Sequence, residues 1–347
     1  MVKFLRNPST GEASEQGTSC VAVTDYKGRR LIATGTTHGV LKIIDGASGQ
    51  VAFHHRGHDA KIDACRFEVA GDDLGVATVS GDREAAIWNV RTGELHRTMQ
   101  GHAGGVTCLA MWSVERRDLR MEGGRRLMAT GSVDATCKLW STTADNRCLR
   151  TYEGHDATVT AVMFGGDANH EILVSTCMDR TTRVWQLSSV ACLAVLPEVS
   201  ACRCGVWAAS LLGAERPAIV TGSYGDAKIW RVPHAETDRP ESWAKGAKHR
   251  CVQVFAKTEG RVHCVRVKAL FDRRAVVVTA SHDTVHIWAP VLDANGVRAP
   301  FTLEWLVAFA ASGIVQDSVG INHWSRPVWD IFEPLYLAQI ELVFHDS

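Results

Sequence analysis

The chain has 347 residues with 38 basic and 38 acidic side chains, so no overall field steers it toward nucleic acid or an anionic membrane, and any electrostatic specificity is local. Residues 1–18 contain no apolar run of signal-peptide length, and the longest later stretch, Trp305 to Val315, is too short to span a bilayer, so a soluble intracellular protein, cytoplasmic or nuclear, is expected. Eleven cysteines, an odd number in a chain long enough to build a large core, read as reduced packing residues rather than a disulfide framework.

In chain order, six apolar strands share one register: VLKIID (40–45), AAIWNV (85–90), CKLWST (137–142), TRVWQL (182–187), AKIWRV (227–232) and VHIWAP (285–290). They align Ile44, Trp88, Trp140, Trp185, Trp230 and Trp288, roughly every 45 residues with longer steps where insertions intervene. Before each lies another β-prone run: LIATG (31–35), LGVATVS (74–80), LMATGS (127–132), ILVSTC (172–177), AIVTGS (218–223) and AVVVTAS (275–281). Short turns join each pair into a hairpin. Three turns hold an aspartate, Asp82, Asp134 and Asp179, suited to accept bonds from the turn's own N–H groups. Gly57-His58, Gly101-His102 and Gly154-His155 precede the strand that opens the following unit.

Gly-His, then Asp, then Trp at this period resembles the WD-repeat family, whose fold is the β-propeller. The resemblance implies an all-β chain of four-stranded blades in a single domain over residues 1–347. It also implies a buried hydrogen-bond chain in each blade: His58, Ser80, Asp82 and Trp88 in one, and His102, Ser132, Asp134 and Trp140 in the next. The third set, His155, Asp179 and Trp185, has Cys177 at the hydroxyl place, so a weaker network is expected there. Blade one departs from the pattern at His38 and Ile44. Blades five and six lack Gly-His, and Asp226 and Asp283 stand closer to their tryptophans, so local irregularity is expected.

Residues 312–347 have the length for three further strands, and residues 2–6, VKFLR in the segment 1–18, could supply the outer one. A seventh, degenerate blade closed by the N-terminal strand is therefore the expectation, with six blades and a C-terminal cover as the alternative. Ala64, Cys108, Ala161, Cys204 and Cys264 stack at one place in the inner strands, and Cys148, Cys192 and Cys251 share a register in the outer ones. Both sets read as packing residues. Cys202 and Cys204 point to one face of a strand with no second pair nearby in sequence, so no metal site is expected. No phosphate-cradling loop, nucleophile elbow or metalloprotease helix occurs, so neither catalysis nor a cofactor is expected.

Two partner surfaces suggest themselves. Loops between first and second strands carry Arg29 and Arg30, then Arg116, Arg117, Arg120, Arg125 and Arg126, then Arg273 and Arg274, a local basic sector suited to carboxylate or phosphate groups. On the opposite face, Lys61 and Arg261 lead into inner strands, and Arg83 and Arg180 follow turn aspartates. The leading function is a non-catalytic protein-interaction scaffold whose partners are proteins or peptide segments, acidic ones included. One alternative is a substrate receptor of a cullin-type ubiquitin ligase, since IWNVR (87–91) resembles the family's adaptor-binding box with Arg91 at its end. The other is a component of an RNA-containing assembly such as ribosome biogenesis. No membrane or small-molecule substrate is expected.

Overall fold

The computed structural model describes residues 17–70, 73–114, 125–142, 147–166, 171–208, 217–232, 251–255, 261–269, 275–281, 284–292, 298–309 and 315–316. Sheet one is β1 (Thr18–Tyr26), β2 (Arg29–Thr36), β3 (Val40–Asp45) and β4 (Val51–Arg56); sheet two is β5 (Ile62–Ala70), β6 (Asp73–Ser80), β7 (Ala85–Asn89) and β8 (Leu95–Met99). Sheet three is β9 (Val106–Val114), β10 (Arg125–Ser132), β11 (Cys137–Ser141) and β12 (Cys148–Tyr152); sheet four is β13 (Val159–Gly166), β14 (Glu171–Cys177), β15 (Thr181–Gln186) and β16 (Cys192–Pro197). Sheet five is β17 (Cys204–Ala208), β18 (Ala218–Gly222), β19 (Ala227–Arg231) and β20 (Cys251–Phe255). Sheet six is β21 (Cys264–Ala269), β22 (Ala275–Ala280), β23 (Thr284–Leu292), β24 (Arg298–Phe309) and β25 (Val315–Gln316).

The fold is all-β, and the repeating four-stranded antiparallel meander is the blade of a β-propeller. The strands fall into two compact units, the first holding sheets one and two and most of sheet three, the second holding sheets four to six. Residues 1–16 and 317–347, on which the expected closing blade depends, lie outside the described residues. Within the described part of that tail, Val315 and Gln316 pair with Phe309 and Ala308 and so extend sheet six by a fifth strand.

Local chemistry explains the hairpins. Tyr26 pairs with Arg29 around Lys27 and Gly28, whose φ values of 48° and 76° give the left-handed two-residue turn that matches strand twist. The ladder between third and fourth strands slips at Ile87/Trp88, Val184/Trp185, Ile229/Trp230 and Ile287/Trp288, so a bulge falls beside the tryptophan each time. The indole then packs against the preceding sheet: Trp88 joins Ala22, Ala33, Leu41 and Ile43 of sheet one. A Cβ built on Gly57 would meet the Trp88 ring at 1.9 Å, so only glycine fits before His58. In the second unit, Trp230 clusters with Met163, Val174 and Val184 of sheet four, and Trp288 with Val220, Ile229 and Phe255 of sheet five.

Three of the inner-strand cysteines stand opposite glycine, while Cys65 and Cys264 face Thr78 and Ala280. Cys20, Cys108 and Cys204 pair with Gly35, Gly131 and Gly222, and a Cβ on Gly35 or Gly222 would stand 2.7 Å from the cysteine sulfur. All eleven cysteines are unbridged. The outer-strand set differs from expectation: Cys148 and Cys192 are exposed and Cys251 is half-buried, because the last strand of a sheet has a neighbour on one side only.

Candidate functional site

The most organised polar chemistry lies where the turn between second and third strands meets the loop from the preceding sheet. In sheet two, His58 Nδ1 lies 2.7 Å from Asp82 Oδ2 and His58 Nε2 2.8 Å from Thr78 Oγ1, while Trp88 Nε1 donates to the same Thr78 oxygen at 2.9 Å. Sheet three repeats the set with His102, Asp134, Thr130 and Trp140 at 2.8 to 2.9 Å. Sheet four repeats it with His155, Asp179, Ser175 and Trp185 at 2.7 to 2.8 Å.

The hydroxyl therefore differs from the one read in the sequence. Thr78 and Thr130 stand between imidazole and indole where Ser80 and Ser132 were expected, and Ser175 does so in sheet four. Strand periodicity puts residues 78 and 80 on one face, so both are plausible by pattern. Ser80 sits at the strand end and ties the turn instead, donating to Ala60 O (3.1 Å) and accepting from Asp82 N–H (3.3 Å). Cys177 takes the equivalent place in sheet four, donating to Ala157 O at 3.1 Å and accepting from Asp179 N–H at 3.3 Å. Cysteine there leaves the His155–Ser175–Trp185 chain complete, which removes the reason to expect a weaker network.

Donor roles follow from chemistry. An indole only donates, so its partner hydroxyl accepts there and keeps its own hydrogen for a neutral imidazole, which in turn donates from Nδ1 to the carboxylate, or for a backbone carbonyl such as Ala86 O beside Thr78. The first direction needs a neutral ring. Burial holds the imidazoles of His102 and His155 below the ordinary histidine value, against the pull of Asp134 and Asp179. Burial also opposes ionisation of Asp179, yet hydrogen bonds from Thr181 and His155 bring its pKa down to about 2. His155, Cys177 and Asp179 place potential metal-ligand atoms within 4.8 Å of one another. Each is committed to the hydrogen bonds above, burial pushes the Cys177 thiol up to about 11, and sheets two and three build the same cage with serine.

Sheet five solves the same problem with other residues. Trp230 Nε1 donates to Thr221 Oγ1 at 2.9 Å, but the group beyond is Glu198, placed directly after β16 where a histidine would stand. Glu198 Oε1 accepts from Thr221 Oγ1 (2.7 Å) and Trp230 Nε1 (3.2 Å), and Oε2 lies 2.9 Å from Lys228 Nζ. The Glu198 side chain is 1% exposed and that of Lys228 7%. Burial pushes the Glu198 carboxyl above the ordinary carboxylate value, against the hydrogen bonds from Thr221 and Lys228. Asp226, brought close by the shorter turn, lies 3.8 Å from Lys228 and accepts from Ser223 Oγ. Sheet six keeps the indole bond, Trp288 Nε1 to Thr279 Oγ1 at 3.0 Å, with the His286 ring stacked on Trp288 at 5.7 Å. Reading the sequence for Gly-His missed Glu198. Its signal was a lone acidic residue closing the apolar run LAVLPE.

The remaining candidates divide as follows. Arg29 lies 2.7 Å from Asp45 and Arg30 3.0 Å from Asp25, so both already hold carboxylates. Burial pushes the Glu68 carboxyl up, and Arg126 is near enough to oppose it. Arg116, Arg117, Arg120, Arg273 and Arg274, and the Arg125 side chain, lie outside the described residues. On the other loops, Lys61 lies 3.4 Å from Asp63. Arg83 and Arg180 both take left-handed backbone, φ 78° and 65°, which turns them outward after their aspartates. Arg261 is exposed and bridges to Tyr224. Arg91 is exposed as well; its N–H donates to Asn89 Oδ1 at 2.8 Å, so Asn89 makes the turn that Asp45 makes in sheet one.

Comparison with known proteins places this geometry. The family described as WD domain, G-beta repeat matches residues 93–141 and 146–186, in the region of sheets two to four. The nuclear distribution protein nudF of Aspergillus niger is 31% identical over 170 residues, 47% of this chain and 34% of that protein. The nuclear distribution protein PAC1 of Fusarium vanettenii is 35% identical over 122 residues, 33% of this chain and 25% of its own length. The chain thus spans about a third or less of the length of these relatives. Among solved structures, the computationally designed Ika8 protein shares the fold, with a TM-score of 0.56 and 21% identity over 78% of this chain and 70% of its own. Repeat match, relatives and sheet geometry agree that residues 93–141 and 146–186 carry WD repeats, and the four-stranded sheets before and after them repeat the same meander.

Proposed function

We propose that this chain is a non-catalytic scaffold that docks protein partners on the turns between second and third strands and on the loops linking successive sheets. The observation that carries the reading is the contrast within each turn. The aspartate is locked inward by imidazole and backbone, as Asp179 is by His155 and the Asp156 N–H, while the next residue, Arg83 or Arg180, points outward from a fixed backbone. Side chains held so present a surface that loses little entropy on binding. The relatives' name, nuclear distribution protein, belongs to chains about three times longer than the matched stretch, so the proposal stops at the scaffold class.

Affinity purification of the tagged chain at moderate salt, with and without nuclease, tests the proposal. A reproducible set of proteins that survives nuclease is the expected result. A cullin adaptor within it, lost on Arg91→Ala, would select the ligase-receptor form. Recovery of nuclease-sensitive material alone would replace the scaffold reading with RNA binding, because phosphate contacts are salt-dependent and sequence-independent.

A further inference from the structure

Four segments of the second unit join into one ribbon. Glu198 N–H donates to Arg180 O at 2.9 Å, linking the turn 178–180 to the loop 198–203. Tyr224 N–H donates to Ser200 Oγ at 2.8 Å, linking that loop to the turn 223–226. Val262 N–H donates to Ser223 O at 3.0 Å and Arg261 bridges to Tyr224, adding residues 261–263.

The ribbon exposes large apolar groups beside arginines. Val199 is 74% exposed and Tyr224 61%, with Met178 exposed near them. Arg180, Arg203 and Arg261 are exposed too, and among the described residues none has an ion-pair partner. The carboxylates of these segments turn inward: Asp179 to His155, Asp226 to Ser223, and Glu198 to Thr221 and Lys228. The exposed Asp156, whose N–H donates to Asp179, marks the border. Sheet two lacks this separation, since Lys61 there faces Asp63.

We infer that this ribbon is the docking site for an acidic peptide segment bearing an aliphatic or aromatic anchor. The inference rests on the scaffold reading and gives it a place and a partner chemistry. Tyrosine and arginine side by side are typical of energetic centres in interfaces, and arginine suits carboxylates through its planar fork. Valine and methionine offer an apolar seat rather than a stacking platform, so the observations favour peptide over single-stranded nucleic acid. The ribbon is also pre-formed, because Glu198, adjacent to Val199, is fixed by Thr221, Lys228 and Trp230 beneath it.

The test is selection of random short peptides on the full chain, followed by fluorescence polarisation of the selected peptides against wild type, Val199→Ser, Tyr224→Ser, Arg203→Glu and Arg261→Glu. Arg56→Glu, at an exposed position of the first unit, serves as control. All four ribbon positions are exposed, so the variants should keep the wild-type melting temperature. The expected result is peptides with Asp or Glu around a Leu, Phe or similar anchor, with affinity falling about tenfold or more for each ribbon variant and unchanged for the control. Binding should weaken with added salt. Peptides without acidic preference, peptides that bind the four variants as wild type, or tighter binding of oligouridylate would overturn the assignment. If wild type and variants co-purify the same nuclease-resistant set, the site is wrong and the scaffold stands. If wild type co-purifies nothing, both fall.

Discussion

Sheets two to four hold their turns with an imidazole, and sheet five holds its own with a carboxylate. In the first case a histidine bridges a hydroxyl and a partly exposed aspartate, and burial favours the neutral ring at His102 and His155. In the second, Glu198 and Lys228 lie 2.9 Å apart with almost no exposure. Both arrangements keep the indole-to-hydroxyl bond and both fix the loop from the preceding sheet. What the frame requires is an acceptor beneath the indole and its hydroxyl, and either side chain meets that requirement. The two solutions differ in what happens when they are disturbed.

The largest expected effect is in sheet five. Glu198→Ala leaves the Lys228 ammonium buried with only Asp226 at 3.8 Å, and removing one partner of a buried ion pair costs about 3–5 kcal/mol. Replacing both, as Glu198→Gln with Lys228→Met, should recover most of that loss, since no unpaired charge remains. Urea-denaturation midpoints of wild type and the two variants measure this. Equal losses in the single and double variants would mean that packing rather than charge holds sheet five.

Next comes the hydroxyl. Thr78→Val strips the shared hydroxyl from Trp88 and His58, an expected loss of about 1–3 kcal/mol for groups left buried without partners. Ser80→Ala removes only the tie to Ala60 and Asp82, which sits nearer solvent, and should cost about 0.5–1.5 kcal/mol. The reverse order would return Ser80 to the centre of the network.

This pair also marks how far the sequence could be read. Trp88, Trp140, Trp185, Trp230 and Trp288 were legible because a large residue recurs at a fixed place after a β-prone run. The histidines and turn aspartates were legible because Gly-His and Asp recur with them. Thr78 was not, since Thr78 and Ser80 share a face and both are hydroxylic, so spacing cannot choose between them. Glu198 escaped for another reason: a motif search asks for a residue type, whereas the fold asks for an acceptor at a position. The ion pairs of Arg29 and Arg30 were equally invisible, because Asp45 and Asp25 meet them across hairpins whose register depends on where the turns fall.

Acidification should pull the two solutions apart. The His102 and His155 imidazoles have folded pKa values below the ordinary 6.5. Their contribution is complete above that value and is lost as pH falls through it toward the folded pKa. Glu198 runs the other way: with a folded pKa above the ordinary 4.5, its contribution is complete below that value and is lost as pH rises through the folded pKa. Hydrogen-exchange protection, corrected for intrinsic rates and compared between pH 7 and pH 5, should fall in β10 and β14 and hold or rise in β18. A parallel fall in all three strands would show that the carboxylate does not titrate separately from the histidines.

The smallest effect tests whether Cys177 does anything beyond tying its turn. Its sulfur makes the two contacts that Ser80 Oγ makes in sheet two, with Ala157 O and the Asp179 N–H. Oxygen accepts and donates more strongly than sulfur, so Cys177→Ser should change stability by no more than about 1 kcal/mol, in the stabilising direction. The thiol is buried and pushed up to about 11, so little thiolate exists at neutral pH, and iodoacetamide should label the exposed Cys148 first. Rapid labelling of Cys177, or a clear loss of stability in the serine variant, would mean that the sulfur has a role its two hydrogen bonds do not explain. In that event His155 and Asp179, whose ligand atoms lie within 4.8 Å of it, would be the first partners to re-examine.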